Sequence, residues 1–219
     1  MGYRIEQAEA QFSKWSEGYD RDLLQTFFFN PTHKRLLDEL TPADTRVLDV
    51  GCGTGKFASR VLEKFPETKV WGIDLCHGML VQGQHRVDYW QGRYQVAEAN
   101  AERLPFPDNS FDVVTCTHSF HHYPNQLQAA KEMHRVLRPG GRLFISEGDR
   151  DRLWGWLIFD VIVVMLEGPV KHLTTWAFRD LFHEIGFGDV QHKRRGGVLP
   201  FHITSGRAVK ESGAIRLSA

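Results

Sequence analysis

The residues best suited to bind a ligand are three glycines at alternate positions, Gly51, Gly53 and Gly55, directly after a strand-like run at 47–50. Glycine suits such a site because a Cβ atom would obstruct both a tight turn and the approach of a ligand to the backbone. The next residues, 56–65, show helical spacing, and the free N–H groups at the start of a helix favour an anionic group. The pattern predicts a ligand-binding loop between a strand and a helix.

The spacing around this loop narrows the choice of ligand. The dinucleotide fingerprint needs a third glycine where Lys56 stands, and the phosphate-binding G-x-x-x-x-G-K-[ST] run is absent from the sequence. Asp74 lies at the end of a second predicted strand, roughly 20 residues after the loop, where a carboxylate can accept hydrogen bonds from both ribose hydroxyls. We therefore expect a ligand that carries a ribose. Because the third glycine is missing, the loop gives no reason to expect a pyrophosphate.

Three histidines, His118, His121 and His122, follow the fourth predicted strand and are the main candidates for acid–base chemistry. A neutral histidine can take a proton near pH 7, so these residues could act as a general base. Alternatively, they could have a structural role, as a helix cap or as packing against their neighbours. Adjacent histidines are poorly placed to share one metal ion, so we expect no metal site among them. Glu147 and Asp149, at the end of the fifth predicted strand, could face the substrate or cap the helix that follows.

Strands and helices alternate from the glycine loop to residue 145, which predicts an α/β fold with a parallel sheet and helices on both faces. Ligands in such sheets bind beyond the carboxyl ends of the strands, and every candidate named above lies at one of these ends or in the loop after it. The fourth strand is predicted to start at Phe111, and Pro139 is expected to break the chain before the fifth. The remaining predicted elements are helices at 5–29, 32–40, 126–137 and 174–185 and strands at 187–195 and about 199–207.

Residues 153–166 form an almost wholly apolar run with a single aspartate. Its 14 residues are too few for a membrane span, which needs about 20. We expect a helical insert that lies over the active site, although the same run could instead form a dimer surface. The aromatic residues Trp154, Trp156 and Phe159 fit an apolar or aromatic substrate, or the core of the insert itself.

The glycine loop, Asp74 and two later segments, 97–115 and 137–145, occur in an order that resembles the class I S-adenosylmethionine-dependent methyltransferases. The similarity is to the small-molecule group that includes the ubiquinone/menaquinone C-methyltransferases. It implies one domain over residues 1–219, with a Rossmann-like, doubly wound, mostly parallel seven-stranded sheet and an antiparallel last strand. It also implies an N-terminal helical cap at 1–40 and a helical insert at 151–173.

The resemblance assigns roles around the methionine and ribose of the cofactor. Gly51, Gly53 and Gly55 would line this part of the site. Asp49, at the end of the first strand, would hold the cofactor's amino group, directly or through water. Asp74 would accept the ribose hydroxyls, in agreement with its spacing from the loop.

Further roles carried by the resemblance concern the adenine and the mouth of the site. Leu75 would pack on the adenine, while Asn100, where aspartate is more usual, and Ala101 would meet its edge. The backbone carbonyl of Thr117 would face the methionine amine. Tyr19 would close over the cofactor from an N-terminal helix, or would simply pack on that helix.

The resemblance implies transfer of a methyl group from S-adenosylmethionine to a small, apolar or aromatic acceptor, with S-adenosylhomocysteine as product. This in-line displacement needs alignment and exclusion of water, and it needs a base only if the acceptor must lose a proton. Lipid-quinone enzymes usually carry an Arg-Asn pair where this chain has His121 and His122. Two alternatives stay open: a non-catalytic protein that binds the cofactor or a partner, and an enzyme that uses the cofactor for other chemistry.

The composition fits a soluble globular domain, since 42% of the 219 residues are hydrophobic and 25% are charged. Lysine plus arginine and aspartate plus glutamate number 27 each, so no excess of basic residues favours a nucleic-acid partner. Three scattered cysteines and an N-terminus without an apolar signal core favour a reduced, cytoplasmic compartment. The oligomeric state is open, and a homodimer is one option.

Overall fold

Seven strands form one sheet in the computed structural model, which describes residues 29–167, 170–196 and 199–210. In chain order they are β1 (Arg46–Val50), β2 (Lys69–Asp74), β3 (Tyr94–Glu98), β4 (Phe111–Thr117), β5 (Leu137–Gly148), β6 (Phe187–Arg195) and β7 (Phe201–Ala208). Across the sheet the order is β3-β2-β1-β4-β5-β7-β6. Strands β1 to β5 pair in parallel, whereas β7 is antiparallel to both of its neighbours. This topology confirms the predicted mostly parallel sheet with an antiparallel last strand.

Helices cover both faces of the sheet. They are α1 (Asn30–Leu37), α2 (Lys56–Lys64), α3 (His77–Tyr89), α4 (Gln126–Val136), α5 (Leu153–Trp156), α6 (Val163–Glu167) and α7 (Thr175–Glu184). Leu48 of β1 belongs to the same buried cluster as Met133 of α4 and Phe178 of α7. Its neighbour Val47 belongs to a second cluster, with Phe57 of α2. Adjacent residues of one strand are thus buried on opposite faces, as expected of a parallel sheet whose crossover helices cover each side.

Short sequence signals determine where several helices begin. Pro31 lies in the first turn of α1, where its missing N–H group costs no hydrogen bond. Asn125 precedes α4, and its side chain accepts a hydrogen bond from the Gln128 N–H. Thr174 caps α7 in the same way by accepting from the Ala177 N–H. Both helices agree with their predicted boundaries to within one residue.

Two predicted boundaries are wrong for structural reasons. The helix predicted at 32–40 ends at Leu37, and Leu40 enters the core from the turn that follows, where it is 5% exposed. Pro139 was expected before the fifth strand but lies inside β5, which begins at Leu137. The pairing of β4 with β5 shifts register here, and such an irregularity tolerates a proline that cannot donate a hydrogen bond. The helices predicted at 5–29 lie, apart from the last residue, outside the part of the chain that the structure describes.

The insert after β5 is helical, as predicted. Helix α5 continues into a π-helical turn (Leu157–Ile162) and then into α6. Ile158 and Phe159 are buried in the cluster that contains Val47, whereas Leu153 and Met165 are 84% and 80% exposed. One side of the insert therefore packs on the domain and the other faces solvent. No helix within the described ranges is long and apolar enough to cross a membrane.

Candidate active site

A pocket opens beyond the carboxyl ends of β1, β2 and β4, the edge at which the sequence places its candidate residues. Strand β1 lies between β2 and β4, so the order in which successive strands are added to the sheet reverses at β1. The loops after these three parallel strands meet at this point. The pocket wall consists of Gly51, Gly53, Ile73, Asp74, Leu75, Cys76, Met79, Ala99, Asn100, Ala101, Thr117, His118, Ser119, His122, Tyr123 and Pro124.

The glycine loop has a conformation that side chains rarely tolerate. Gly51, Gly53 and Gly55 have φ angles of 73°, 53° and 78°, in the left-handed region. A Cβ atom on Gly51 would lie 2.1 Å from the Ser119 Oγ, and one on Gly55 would lie 2.6 Å from the Tyr94 Oη. A Cβ atom on Gly53 would meet no atom within 4 Å, so bare backbone borders the open pocket. Gly55, by contrast, lies outside the pocket wall and allows the turn into α2.

Asp74 ties the glycine loop to the end of β2. Its Oδ2 accepts a hydrogen bond of 2.8 Å from the Gly53 N–H, and its Oδ1 accepts one of 2.8 Å from the Cys76 N–H. Burial raises the pKa of this carboxyl, although the backbone N–H groups oppose the shift. A carboxylate offers about four lone-pair sites, so Asp74 can still accept hydrogen bonds from a ligand in the pocket.

Asp49 lies in β1 just before the glycine loop, outside the pocket wall, and is 1% exposed. Its Oδ1 accepts a 2.8 Å hydrogen bond from the Thr115 Oγ1, but its Oδ2 has no partner within the described residues. Burial raises the pKa of Asp49 to about 7; the Thr115 hydrogen bond opposes this rise and the charge of Asp74 adds to it. A buried carboxylate oxygen without a donor is costly, so this atom is suited to a cation or a donor from a ligand.

Four further residues predicted to contact the cofactor, Leu75, Asn100, Ala101 and Thr117, also line the pocket. The Asn100 Oδ1 accepts a 2.8 Å hydrogen bond from the backbone two residues later, which fixes the orientation of this side chain. Thr117 is the last residue of β4. Tyr19 lies outside the described residues.

The three candidate histidines have different surroundings. His118 and His122 line the pocket, but His121 does not. His118 has a left-handed φ of 51°, and its Nε2 lies 3.1 Å from the Thr32 Oγ1. Burial lowers the pKa of His118 to about 4 and that of His122 well below its ordinary value. Both rings are therefore neutral near pH 7.

His121 belongs to a buried cluster with Glu147 and His172. Its Nδ1 lies 2.6 Å from the Glu147 Oε2, and its ring stacks on that of His172 with centroids 4.4 Å apart. The Glu147 Oε1 accepts a 2.8 Å hydrogen bond from the Phe120 N–H. Burial by itself would raise the pKa of Glu147, but His121 and His172 hold it at about 2. Glu147 is therefore ionised near pH 7.

The sequence reasoning missed His172 and misjudged the surroundings of Glu147. Glu147 is buried outside the pocket wall and contacts Phe120 and His121, and no side chain within the described residues caps the start of α5. Asp149 does not cap α5 either, because Arg152 precedes that helix and no described side chain caps it. The Asp149 carboxylate accepts from the Asp151 N–H and pairs with Arg194. No local pattern marks His172, which follows the insert and meets the cluster only in the folded chain.

Comparison with known proteins places the chain among methyltransferases. A family model described as a methyltransferase domain matches residues 48–145. The chain is 32% identical to the ubiquinone/menaquinone biosynthesis C-methyltransferase UbiE of Methylobacterium nodulans, with 87% of each protein covered. It is 40% identical over 110 residues to the demethylmenaquinone methyltransferase of Deinococcus radiodurans, which spans 50% of this chain and 46% of that protein.

A solved structure supports the fold. The Thermotoga maritima protein described as an S-adenosylmethionine-dependent methyltransferase and possible histamine N-methyltransferase superimposes with a TM-score of 0.74. It covers 90% of this chain and 98% of its own, at 22% sequence identity. At this identity the likeness establishes the shared fold alone.

The fold and the pocket together define a class I S-adenosylmethionine-dependent methyltransferase. More narrowly, the chain belongs to the family that includes the ubiquinone/menaquinone C-methyltransferases, since it is 32% identical to UbiE over 87% of its length. It is therefore an enzyme that uses S-adenosylmethionine, as the resemblance implies. A non-catalytic role is not favoured.

Proposed function

We propose that this methyltransferase acts on a small apolar or aromatic acceptor, which meets the cofactor in the pocket beyond β1, β2 and β4. The observation that carries the proposal is the composition of the pocket wall. The backbone of Gly53, the carboxylate of Asp74 and the ring of His122 line one cavity, together with mainly apolar residues. A cofactor held at the glycine loop can therefore share this cavity with an acceptor beside His122.

The residues near the glycine loop fit the polar part of S-adenosylmethionine. The unpartnered Oδ2 of Asp49 provides a buried acceptor for the amino group of the cofactor, directly or through water. The free lone pairs of Asp74 would accept the ribose hydroxyls. Gly51 and Gly53 would let the methionine and ribose approach the backbone, because a Cβ atom on Gly53 would project into the open pocket. Gly55 would contribute through the shape of the turn.

The remaining wall residues fit the adenine and the methionine amine. Leu75 would offer an apolar surface to the adenine, and Asn100 and Ala101, which line the same pocket, would contact its edge. The carbonyl of Thr117, at the end of β4, would accept from the methionine amine. The role of Tyr19 stays a prediction, because that residue lies outside the described part of the chain.

The cofactor supplies a methyl group that its sulfonium charge has already activated. An electron pair of the acceptor, on O, N or S or on a carbon of an electron-rich ring, would form the new bond to the methyl carbon as the carbon–sulfur bond breaks. The electrons of the broken bond would stay on sulfur to give S-adenosylhomocysteine, and any proton lost by the acceptor would pass to solvent or to a nearby base. The chain contributes chiefly by aligning the two molecules and by excluding water.

The segment after β4 forms the acceptor side of the pocket, and the end of the insert packs behind it. His118 and His122 line the pocket as neutral rings, and a neutral imidazole has one nitrogen that can accept a hydrogen bond. The burial that lowers both pKa values makes these rings weak bases, so they suit hydrogen bonding to an acceptor better than removal of its proton. We propose that residues 151–173 act as a lid within a single domain. The segment that ends the insert supports this, because His172 stacks on His121 next to the pocket-lining His122.

Relatives named for ubiquinone, menaquinone and demethylmenaquinone make a quinone-like ring the first acceptor to try. Radiolabelled S-adenosylmethionine should transfer its methyl group to hydroxylated naphthalenes or to phenols, and Asp74→Ala should lose this activity. Gly92→Ala is the control, because Gly92 lies in the turn between α3 and β3 and is absent from the pocket wall. Methylation of non-aromatic amines or thiols, with no transfer to any aromatic compound, would contradict the proposal.

A further inference from the structure

Three buried side chains from distant parts of the chain meet beside the pocket. His121 comes from the 3₁₀ turn after β4 (Phe120–His122), Glu147 from β5 and His172 from the segment after the insert. Each offers one ligand atom, and these three atoms lie within 4.8 Å of one another. His122 lines the pocket, and its ring centroid is 4.1 Å from that of His121. The cluster therefore lies directly behind the acceptor side of the pocket.

The segment that carries His172 is held in place by bonds that do not involve its ring. The Lys171 N–H donates to the His121 carbonyl at 3.0 Å, and the Gln126 Nε2 donates to the Lys171 carbonyl at 2.8 Å. The Arg150 Nη1 donates to the His172 carbonyl at 2.7 Å. His172 is 4% exposed, yet its Nδ1 has no hydrogen-bond partner within the described residues. An unpartnered imidazole nitrogen is costly to bury, and a ligand on that nitrogen would remove the cost.

The donor set is one that metals prefer. Two imidazoles and one carboxylate are established ligands of zinc and of other first-row divalent metals. The Glu147 Oε1 already accepts from the Phe120 N–H, which orients the carboxylate and leaves its Oε2 toward His121. Such hydrogen bonds to the outer atoms of a ligand are characteristic of metal sites. The ligands are not the adjacent pair His121 and His122. They are His121, Glu147 and His172, which come from three separate segments.

We propose that His121, Glu147 and His172 bind one divalent transition-metal ion, with zinc as the first candidate. Ligand atoms on one zinc ion lie about 3.3–3.5 Å apart, given bonds of about 2.0–2.2 Å. The ion would therefore replace the proton between the His121 Nδ1 and the Glu147 Oε2, which would pass to solvent, after these atoms separate by about 1 Å.

Three protein ligands leave a fourth position for water. None of the three lines the pocket, so an ion at this site would act on the reaction by fixing the ring of His121, against which the pocket-lining His122 packs. This role rests on the proposed function, whereas the existence of the metal site does not.

The site can be tested on the purified 219-residue chain after treatment with a chelator. Titration with Co²⁺ followed by visible absorption reports the coordination geometry, and elemental analysis after Zn²⁺ loading gives the stoichiometry. His172→Asn removes one ligand, and Glu147→Gln removes another while keeping an acceptor for the Phe120 N–H. His134→Asn is the matched control, because His134 lies on α4 outside the cluster and also has an unpartnered buried Nε2.

We expect one equivalent of metal per chain, at least tenfold weaker binding in His172→Asn and Glu147→Gln, and a change within twofold in His134→Asn. Absence of Zn²⁺ and Co²⁺ binding to the folded wild-type chain would overturn the proposal. Equal binding by the wild type and both ligand variants would also overturn it. Because the readout is bound metal, failure here leaves methyl transfer standing, and failure of methyl transfer leaves the metal result standing.

Discussion

Replacement of Asp49 by asparagine should stabilise the ligand-free protein and weaken its binding of the cofactor. In the folded chain the pKa of Asp49 is about 7, because the carboxyl is buried, and its usual value is 3.8. The folded state therefore binds the Asp49 proton more tightly than the unfolded state does. This contribution to stability is complete below about pH 4 and is lost as the pH rises to about 7.

The magnitude follows from the pKa difference. A shift of about three units, at about 1.4 kcal/mol per unit, lowers the unfolding free energy by up to about 4 kcal/mol above pH 7. Asparagine has no charge to desolvate, and its amide oxygen can keep the hydrogen bond from the Thr115 Oγ1. Asp49→Asn should therefore be more stable than the wild type by up to about 4 kcal/mol at pH 8, and by less than about 2 kcal/mol at pH 5.

Equilibrium unfolding in urea at pH 5 and pH 8 measures both differences. Asp189→Asn is the control, because the Asp189 side chain is 79% exposed and asparagine also adopts its positive φ. This control should change stability by less than about 0.5 kcal/mol at either pH. If Asp49→Asn is no more stable than the wild type at pH 8, or is equally stabilised at both pH values, burial does not raise the pKa of Asp49 as described.

Binding of S-adenosylhomocysteine by the same variant should change in the opposite direction. A hydrogen bond to a charged partner contributes about 1.5–3 kcal/mol, so its loss should raise the Kd by about 10- to 150-fold. Calorimetric titration measures this change directly. Unchanged affinity in Asp49→Asn would mean that the unpartnered oxygen of Asp49 does not meet the amino group of the cofactor.

Three other predictions separate the parts of the molecule. Gly53→Ala should weaken binding of S-adenosylhomocysteine at least tenfold in calorimetry, because its Cβ projects into the pocket, whereas Gly92→Ala, at a φ of 75° with equally open surroundings, should leave binding unchanged. His122→Asn should lower kcat for methyl transfer at least tenfold and keep the Kd of S-adenosylhomocysteine within twofold. If cofactor affinity instead falls by the same factor as kcat, His122 contacts the cofactor and not the acceptor. Phe178→Ala, at a residue that is 0% exposed, should lower the unfolding free energy in urea by about 3–5 kcal/mol, and a loss below about 1 kcal/mol would contradict its place in the core.

The features that the sequence predicts well are those determined by neighbouring residues. Strand β1, the glycine loop and α2 follow one another within 46–64, where burial, positive φ angles and helical spacing each leave a local pattern. Asp74 is found by the same logic, because it ends the next strand of the same sheet. Its hydrogen bond to the Gly53 N–H shows why the spacing between loop and aspartate carries information.

Contacts between distant segments leave no such pattern. His121, Glu147 and His172 come from three separate elements, and only the folded sheet brings them together. Which histidine lines the pocket depends on the path of the backbone after β4, which includes the left-handed φ of His118. Gly55 has the spacing of a glycine that contacts the cofactor. A Cβ atom on Gly55, however, would point at the side chain of Tyr94 in β3.

The exposed side of the insert illustrates a further limit of sequence reasoning. Its composition predicts an apolar helix, and Ile158 and Phe159 are indeed buried. The same composition does not reveal that Leu153, Trp154 and Met165 face solvent. That division depends on how the insert lies against the domain, which the run of apolar residues does not encode.

Calorimetric titration of the purified chain with S-adenosylhomocysteine, with NAD as the control ligand, tests directly whether the pocket binds the cofactor. We expect micromolar affinity for S-adenosylhomocysteine, no binding of NAD, and at least tenfold weaker binding in Asp74→Ala. Asp74→Asn, which keeps one oxygen for the glycine loop, should remain folded and also bind more weakly. Unchanged affinity in both Asp74 variants, or equal binding of NAD by the wild type, would contradict the claim that this pocket holds the ribose of S-adenosylmethionine.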